Sequence, residues 1–435
     1  MSEHSMIRAL RNRNYRLFFS GQSISLIGTW LTRIATSWLV FNLSHSAWVL
    51  GLVSFIGQIP TFVFAPVSGV LVDRWNRHHV LVITQILAMI QSFLLALLTL
   101  TNQITIPHIL ALSLFQGMIN TFDTPARQAF VVDMIEDRQD LPNAIALNSS
   151  MVNMAKLVGP SVAGLLIAFV GIGWCFGIDA LSYVAVIGSL LFMQLKVSEK
   201  ESKKRQSLWQ EMAEGLQYAL AFSPIRSILL LLALVSLMGA PYMVLLPIVT
   251  SHQLHGNAMT LGYLTAATGL GALAGVFYLA SKHSVLGLGN VIAISSAVFG
   301  LGLMAFAWCT QLWLSLVFLF VTGLGMMLNM AACNTILQTI VDEDKRGRVM
   351  SLYTMAVFGM LPFGSLFSGW LASRIGTPET LFCSGMVCVL GAILFLRSLP
   401  KIREQVRPIY VRIGVLPEIA TALQNVGPLN VPPED

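Results

Sequence analysis

The sequence predicts an all-α polytopic membrane protein whose twelve transmembrane helices form two six-helix pseudo-repeats. Three observations lead to this prediction. First, 55% of the 435 residues are hydrophobic and 11% are charged, against about 25% charged in soluble domains, and the mean hydropathy is +0.74. Second, twelve apolar stretches reach the roughly 20 residues that cross a bilayer. Third, the most polar internal segment lies between the sixth and seventh stretches.

The same composition excludes several other classes of protein. A soluble chain of this size could not bury so much apolar surface, and five cysteines are too few and of the wrong parity for a disulfide scaffold. The alternating pattern of an outer-membrane barrel is missing. Nothing predicts an enzyme or a cofactor: there is no phosphate-binding loop, and the dipeptide His78-His79 lacks the helical spacing of metal ligands.

The predicted spans follow one another with short connections, so neighbours in sequence are expected to be antiparallel. They cover residues 16–43, 47–72, 79–100, 106–130, 144–170, 174–195, 227–250, 259–281, 286–308, 312–340, 348–373 and 378–398. The first is predicted to be a permanent helix, because no cleavage site of a signal peptide follows it. The predicted domains are an N-terminal bundle (1–196), a linker with an amphipathic helix (197–226), a C-terminal bundle (227–399) and a tail (400–435).

The basic residues predict the orientation in the membrane. Nearly all of the 26 Lys and Arg residues fall at the end of the bundle where the chain begins, and Arg374 is the exception at the other end. The positive-inside rule therefore predicts that both termini are cytoplasmic, in the plasma (inner) membrane. The excess of basic residues, which gives a net charge of +6, flanks the spans, where Lys and Arg face anionic lipid headgroups. Nucleic acid is therefore not needed to explain the charge and is not an expected partner.

The linker between the halves contains a short helical pattern. Ser207 and Gln210 form a capping-box pattern, and apolar residues then follow at helical spacing. These are Leu208, Met212, Leu216 and Leu220. The pattern fits an amphipathic helix lying in the membrane interface, and it fits an ordinary soluble linker helix equally well.

The two halves match weakly at a constant offset of 205 residues. The matching pairs are Asp137 and Asp342, Leu147 and Leu352, Gly159 and Gly364, Gly164 and Gly369, and Gly171 and Gly376. Five matches at one offset favour a duplication over chance. Parallel repeats of this kind are a transporter architecture, in which the binding site lies between the halves.

The segment 69–79 follows the second span and has the sequence GVLVDRWNRHH. It resembles the signature G-x-L-x-D-R-x-G-R-R of the major facilitator superfamily, with Gly69, Asp73, Arg74 and Arg77 in matching positions. Two residues depart from it: Asn76 replaces a glycine and His78 replaces a basic residue. The resemblance implies the major facilitator fold and a latch, in which the acid Asp73 holds the two halves together on the cytoplasmic side. A simple stop-transfer cluster of charges is the alternative.

The fifth span carries a second motif around Gly159, Pro160 and Gly164. It resembles the antiporter motif G-x-x-x-G-P-x-x-G-G of exporting branches of the superfamily. A glycine followed by a proline removes a side chain and a backbone hydrogen bond, which predicts a kink and a close-packing seam. The motif therefore indicates either an exporter or only a structural kink.

Segments 14–40 and 123–129 resemble the efflux branch that contains enterobactin exporters. Exporters often carry an arginine three residues before a Gln-Gly pair, and here that position holds Ser113. This departure puts into doubt a proton-coupling scheme based on that arginine.

Four ionisable residues lie well inside the spans of the first half: Arg33, Asp123, Lys156 and Asp179. A charge at the midplane costs at least about 2.5–3.5 kcal/mol, so each is expected to face a partner or a wet cavity. Helix counting places Arg33 and Asp179 in the outer half of the bilayer and Lys156 near mid-depth, and an ion pair between Arg33 and Asp179, on spans one and six, is expected.

Asp123 lies closer to the cytoplasmic end and is predicted to pair with Arg127, Lys156 or Arg77. Such pairs could serve only to fix helix register. Otherwise Asp123 is the best candidate for the proton carrier, because span four of this superfamily usually lines the cavity and Asp179 lies on a peripheral span.

The second half offers polar groups without charge in the tenth span. Asn334 and Gln338 are separated by four residues and are candidates for substrate binding, or for interhelical hydrogen bonds alone. Three prolines predict kinked helices that could gate. They are Pro241, Pro247 and Pro362.

Together these features predict a secondary active transporter, a proton-coupled exporter of an amphipathic small molecule such as a drug or a siderophore-type metabolite. It is expected to act as a monomer by alternating access. An importer or uniporter of the same fold is the first alternative. A non-transporting membrane receptor or scaffold is the second, although a static scaffold would not need a breakable latch.

Overall fold

A computed structural model describes residues 8–135, 137–194, 208–282 and 284–412, except for the side chains of residues 65, 66, 70, 73, 138, 208–213, 215 and 344. Each half consists of six spans. Spans 1 to 6 are Arg13–Ser44, Ala47–Arg74, Arg77–Leu100, Ile106–Asp133, Leu141–Val170 and Ile172–Leu191. Spans 7 to 12 are Ser223–Gln253, Ala258–Ala280, Leu288–Ala307, Leu312–Ile340, Lys345–Ile375 and Thr377–Arg412.

Eleven helices in the described part of the chain are long and apolar enough to cross a membrane. The remaining span, Ile106–Asp133, has 28 residues and so has the length of a membrane helix. It is more polar than the others because Gln116, Asn120, Asp123 and Arg127 lie along it. The prediction of an all-helical protein with membrane-length spans is confirmed.

Spans 7 and 11 are irregular at the prolines identified in the sequence. In span 7 a π-helical segment, Val235–Gly239, precedes Pro241, and a second one, Val249–Gln253, follows Pro247. In span 11 the π-helical segment Met355–Gly359 precedes Pro362. A proline lacks the amide hydrogen that a regular helix needs, and a wider turn absorbs this defect locally. The predicted irregularities are therefore present in both spans.

Packing within each half places spans 3, 6, 9 and 12 at the outside. Span 1 packs against spans 5 and 6, and span 4 packs against spans 2 and 3. The halves join at two seams, span 5 against span 8 and span 2 against span 11. We call the end where spans 1, 3 and 5 begin the basic end, since Arg74, Arg77 and Lys345 lie there, and the other end the distal end.

The glycines matched at the offset of 205 residues occupy equivalent positions in the two halves. A side chain at Gly159 would meet Trp30 of span 1, and one at Gly364 would meet Leu237 of span 7. After these helices, Gly171 and Gly376 have φ of 91° and 100°, which is the left-handed region that glycine adopts without strain.

The second pair extends this correspondence to the seams. Gly164 faces Gly262 of span 8, whereas Gly369 faces Gly51 of span 2. Span 5 therefore relates to spans 1 and 8 as span 11 relates to spans 7 and 2, which is the contact pattern that a duplication predicts.

The linker segment Leu208–Ala221 is helical and packs on the basic end of the second half. Its Glu214 forms an ion pair of 2.7 Å with Arg348, and the Lys345 ammonium lies 4.6 Å from the Tyr218 ring centroid. Leu216 and Leu220 are exposed, as expected of an amphipathic helix. The predicted cap residue Ser207 and the side chains of Leu208, Gln210 and Met212 lie outside the described part.

Span 12 continues well beyond its predicted end at residue 398. Its extension buries Ile402 and Val406, and Arg403 donates to Asn290 at 2.7 Å. Arg412 pairs with Asp342 at 3.0 Å, so the first part of the predicted tail is fixed to the second half. Residues 413–435 lie outside the described residues.

Candidate transport site

The two halves are in close contact at the distal end. Across the seam of spans 5 and 8, a Cβ atom at Gly164 would lie 2.8 Å from the Ala258 carbonyl oxygen. Across the other seam, the Ser54 hydroxyl donates to the Ser365 hydroxyl at 3.1 Å. The Phe41 and His252 rings lie 5.7 Å apart edge to face. These contacts close the distal end.

The basic end has a different arrangement. Gly69, at the start of the predicted latch, has no atom of the described residues within 4 Å of the position that a Cβ would take, so it makes no close helix contact with the described part of the chain. The segment Glu343–Thr354 of span 11 packs instead on the linker helix and on spans 7 and 10. The side chain of Asp73 lies outside the described part of the structure. The halves therefore diverge toward the basic end, and we call the space between them the cleft.

The turn after span 2 shows why asparagine suits the motif position that usually holds glycine. Span 3 begins directly after Asn76, whose side chain accepts hydrogen bonds from the amides of His78 (3.0 Å) and His79 (3.2 Å). This is an N-cap, which satisfies two amide groups at the start of the helix. Asp73 and Arg77 are thus on consecutive helices that a tight turn joins.

Arg77 has a partner that the sequence did not predict. Its guanidinium lies 3.1 Å from the carboxylate of Asp133, at the end of span 4, and it also donates to the Ala129 carbonyl at 3.4 Å. Asp133 was not among the residues singled out from the sequence. Its position along the chain was the available signal. Span 2 ends, span 3 begins and span 4 ends on the same side of the membrane, so a charge at the end of span 4 can lie close to the motif.

Asp123 is the centre of a buried polar cluster between spans 3 and 4. Its carboxylate lies 3.5 Å from Arg127, and it accepts hydrogen bonds from Thr84 at 3.0 Å and Gln85 at 2.7 Å. Of the three partners considered for Asp123, the structure pairs it with Arg127 and not with Lys156 or Arg77. Polar residues on the otherwise apolar span 3 were the signal for this cluster.

Asp179 does not pair with Arg33, so that prediction is wrong for this structure. The Asp179 carboxylate accepts hydrogen bonds from the hydroxyls of Thr32 (2.6 Å) and Ser92 (2.7 Å), and only 1% of the residue is exposed. Arg33 is exposed instead. The physical reason is direction around the helix: neighbouring residues differ by about 100°, so Thr32 faces span 6 and Arg33 turns away from it.

Arg33 and Lys156 lie near the middle of spans 1 and 5, and both are exposed. The Arg33 guanidinium lies 5.1 Å from the centroid of the Trp30 ring, and the Trp30 side chain packs against Gly159 of span 5. The two cations are close enough for their charges to repel each other. The structure thus brings together two predicted site residues that had been assigned to different pairs.

Amide side chains line spans 4 and 10 in a similar way. Gln116 donates to Asn120 at 3.0 Å, and Gln338 donates to Asn334 at 2.5 Å. Asn120 and Gln338 are exposed, whereas Asn329 is buried and donates to Ser296 of span 9. Asn334 and Gln338 therefore lie on the side of span 10 that faces away from span 9. Gln116 and Asn120 were not identified from the sequence as candidate site residues.

The glycine and proline motif of span 5 forms the close-packing seam that its composition predicts. Pro160 lies inside the continuous helix, and its carbonyl oxygen lies 2.7 Å from the Cβ position of Gly262. Because Gly159 admits Trp30 and Gly164 admits span 8, this helix packs closely on both sides. The role of the motif in the direction of transport remains a prediction.

Two helical halves around a cleft, joined at two seams and lined by polar side chains in otherwise apolar spans, define a membrane transporter of the major facilitator superfamily. The model of the transmembrane secretion effector family matches residues 4–428, and the chain belongs to this family. It is accordingly a multi-pass membrane transporter, and the family and its relatives are not enzymes.

Curated relatives cover nearly the whole chain at low identity. The staphyloferrin A transporter of Staphylococcus aureus is 24% identical over 89% of this chain and 97% of its own length. The macrolide efflux protein A of Streptococcus pyogenes is 23% identical over 88% and 96%. The enterobactin exporter of Escherichia coli is 25% identical over 90% and 92%.

Among solved structures, a bacterial homologue of the human lysosomal transporter Spinster, in an inward-facing and unoccupied conformation, has a TM-score of 0.70. It is 14% identical and covers 94% of this chain and 99% of its own. This likeness supports the major facilitator fold.

Proposed function

We propose that this chain is a proton-coupled exporter that moves an amphipathic small molecule out of the cytoplasm by alternating access. The observation that carries the proposal is the cleft, closed at the distal end by two backbone seams and open at the basic end. The positive-inside rule makes the basic end cytoplasmic, so this conformation is the one that loads cargo from inside the cell. The protein is then an inner-membrane monomer with both termini in the cytoplasm.

The relatives support the direction and the kind of cargo. Two of them are named for efflux or export, one of a macrolide and the other of enterobactin. The amide groups of spans 4 and 10 supply polar contacts, and apolar span faces border them, which suits an amphipathic molecule.

We assign the proton to Asp123. Its carboxylate is held by Arg127, Thr84 and Gln85, and protonation would remove the charge that attracts Arg127. A released Arg127 can then bind or repel cargo in the cleft. Binding of cargo and of the proton are thereby coupled through one ion pair, as reciprocal linkage requires.

The latch motif supplies the second conformation. When the basic end closes, Gly69 and Asp73 approach span 11, and Asp73 binds the start of that helix, where backbone amides give a partial positive charge. The Arg77–Asp133 pair keeps the start of span 3, and with it the turn after span 2, fixed to span 4 during this movement. The irregular turns of spans 7 and 11 provide the bending.

The test is cargo accumulation in proteoliposomes under an imposed pH gradient, with a panel of amphipathic ligands. The native protein should concentrate a ligand against its gradient, whereas Asp123→Asn should lose this accumulation and retain downhill flux. Asp137→Asn, in the loop after span 4, is the matched control and should behave like the native protein. Gradient-driven accumulation by Asp123→Asn would exclude this residue as the proton carrier, and absence of any pH-linked flux in the native protein would overturn the coupling.

A further inference from the structure

Arg33 and Lys156 are the two exposed cations at mid-depth in the described spans of the first half. In the part of the chain that the structure describes, neither of them forms a hydrogen bond or comes within 4.0 Å of a carboxylate. The two acids predicted inside these spans are engaged elsewhere, Asp123 with Arg127 and Asp179 with two hydroxyls through one of its carboxylate oxygens.

Helix geometry shows that Lys156 faces the cleft. Met154 and Val158, two residues before and after it, are exposed apolar side chains that form the lipid face of span 5. Two residues correspond to about 200° of rotation, so Lys156 points away from that face. Its backbone carbonyl oxygen lies 3.5 Å from the Cβ position of Gly269, which places it where span 5 crosses span 8 of the other half.

Arg33 faces the same space from span 1. Its neighbour Thr32 is directed at Asp179 of span 6, and Trp30 is directed at Gly159 of span 5. The Arg33 guanidinium follows the side of Trp30 and lies above its ring. An exposed guanidinium on an aromatic face and an ammonium on the adjacent helix together form a cationic surface.

This arrangement is unfavourable without a ligand. Against lipid each charge would cost about 2.5–3.5 kcal/mol at the midplane, and in the cleft the two cations still repel each other. A structural role would be served better by neutral residues or by an internal carboxylate. An anion that enters the cleft would satisfy both charges at once, and charge-assisted hydrogen bonds to carboxylate are among the strong ones.

We propose that Arg33 and Lys156 form an anion-binding subsite in the cleft and that the cargo carries a carboxylate that binds there, with its apolar part against Trp30. The statement that the bound anion is cargo rests on the proposed function. The existence of the subsite can be tested by binding alone. It selects an anionic cargo within the broad class of amphipathic small molecules.

Binding of 2-naphthoate to the full-length protein in phosphatidylcholine nanodiscs, measured by calorimetry, tests the subsite. The neutral isostere 2-naphthamide should bind at least about tenfold more weakly, equivalent to about 1.4 kcal/mol. Arg33→Gln and Lys156→Gln should each remove most of this preference, and Arg33→Lys should retain part of it. Lys282→Gln removes another exposed cation that lies over an aromatic ring, 5.5 Å from the Tyr278 centroid, and should bind naphthoate like the native protein.

The thermal stability of the same variants provides a check that is independent of ligand. Lys156→Gln removes a cation that has no carboxylate or aromatic partner among the described residues, so it should leave the melting temperature of the ligand-free protein unchanged or raise it. A decrease would reveal a partner within the protein and would overturn the proposal. Equal binding of naphthoate by the native protein and the Arg33→Gln, Lys156→Gln double variant would overturn it as well.

Nanodiscs that contain phosphatidylglycerol distinguish cargo from lipid. If this lipid abolishes naphthoate binding to the native protein, the subsite holds a lipid headgroup and the assignment to cargo is wrong. If naphthoate binding persists but no ligand is transported, the proposed exporter function fails while the subsite stands. Transport that is unaffected by neutralising both cations would leave the exporter in place and refute the assignment of the subsite to cargo.

Discussion

A single methyl group at Gly164 should shift the balance between the two conformations. The Cβ atom of Gly164→Ala would lie 2.8 Å from the Ala258 carbonyl oxygen and 2.9 Å from the Met259 Cα atom. Ordinary contact begins at 3.4 Å, so span 5 must retreat from span 8 by about 0.6 Å. Both obstructing atoms belong to the backbone and cannot rotate away.

The energetic penalty applies only while the distal end is closed. Overpacking of a tight contact costs about 1–3 kcal/mol, which corresponds to about a 5- to 150-fold change in the ratio of closed to open distal ends. The gain in helix propensity from glycine to alanine is the same in both conformations and cancels. Gly164→Ala should therefore favour the conformation that opens at the distal end.

Cross-linking at the other seam can measure this shift. The Ser54 and Ser365 hydroxyl oxygens lie 3.1 Å apart, so the Ser54→Cys, Ser365→Cys protein should form a disulfide under mild oxidation. Four of the native cysteines are buried and contribute little background. Adding Gly164→Ala should slow the cross-link, because its rate follows the fraction of molecules whose distal end is closed. Gly188→Ala, where a Cβ meets no atom within 4 Å, is the control, and an unchanged rate in Gly164→Ala would refute the reasoning.

Three further predictions concern charged groups. Asp73→Asn should fold normally and lose most transport in the proteoliposome assay, because the latch would lack its acid; transport at the native rate would exclude the latch. In a double-mutant cycle by thermal unfolding, Arg77→Gln and Asp133→Asn should couple by about 0.5–3 kcal/mol, whereas additive effects would mean that the pair contributes nothing. Asp179→Asn should unfold within about 1 kcal/mol of the native protein, because an amide oxygen accepts the same hydroxyls, and Asp179→Leu should be clearly less stable.

The sequence predicted the helices and their connections better than the contacts between them. Apolar length alone identified the spans, because in a bilayer the backbone must satisfy its own hydrogen bonds. The offset of 205 residues predicted which glycines would have equivalent neighbours, since a glycine at a seam cannot be replaced by a larger residue without separating the helices. Span 4 was identified by its length even though its polar residues lower its hydropathy.

The partners of the buried charges could not be predicted in the same way. Counting residues along a helix gives depth in the membrane, and it correctly placed Arg33 and Asp179 at similar depth. It does not give the direction in which each helix is rotated, which is set by packing with several neighbours. Hence Asp179 accepts a hydrogen bond from the hydroxyl of Thr32 and does not pair with the guanidinium of Arg33, one residue later. Arg33 lies close enough to Lys156 for the two charges to repel each other.

Each of the two seams between the halves contains a contact of backbone against backbone, Gly164 against Gly262 and Gly51 against Gly369. Interlocked side chains would have to leave their grooves before the helices could turn, and each would add to the activation barrier. Because glycine has no side chain, one helix can rotate over the other at these positions while the two backbones stay in van der Waals contact. The glycine contacts therefore lower the activation barrier for the movement of one half against the other. Larger side chains at these positions should slow the transport cycle.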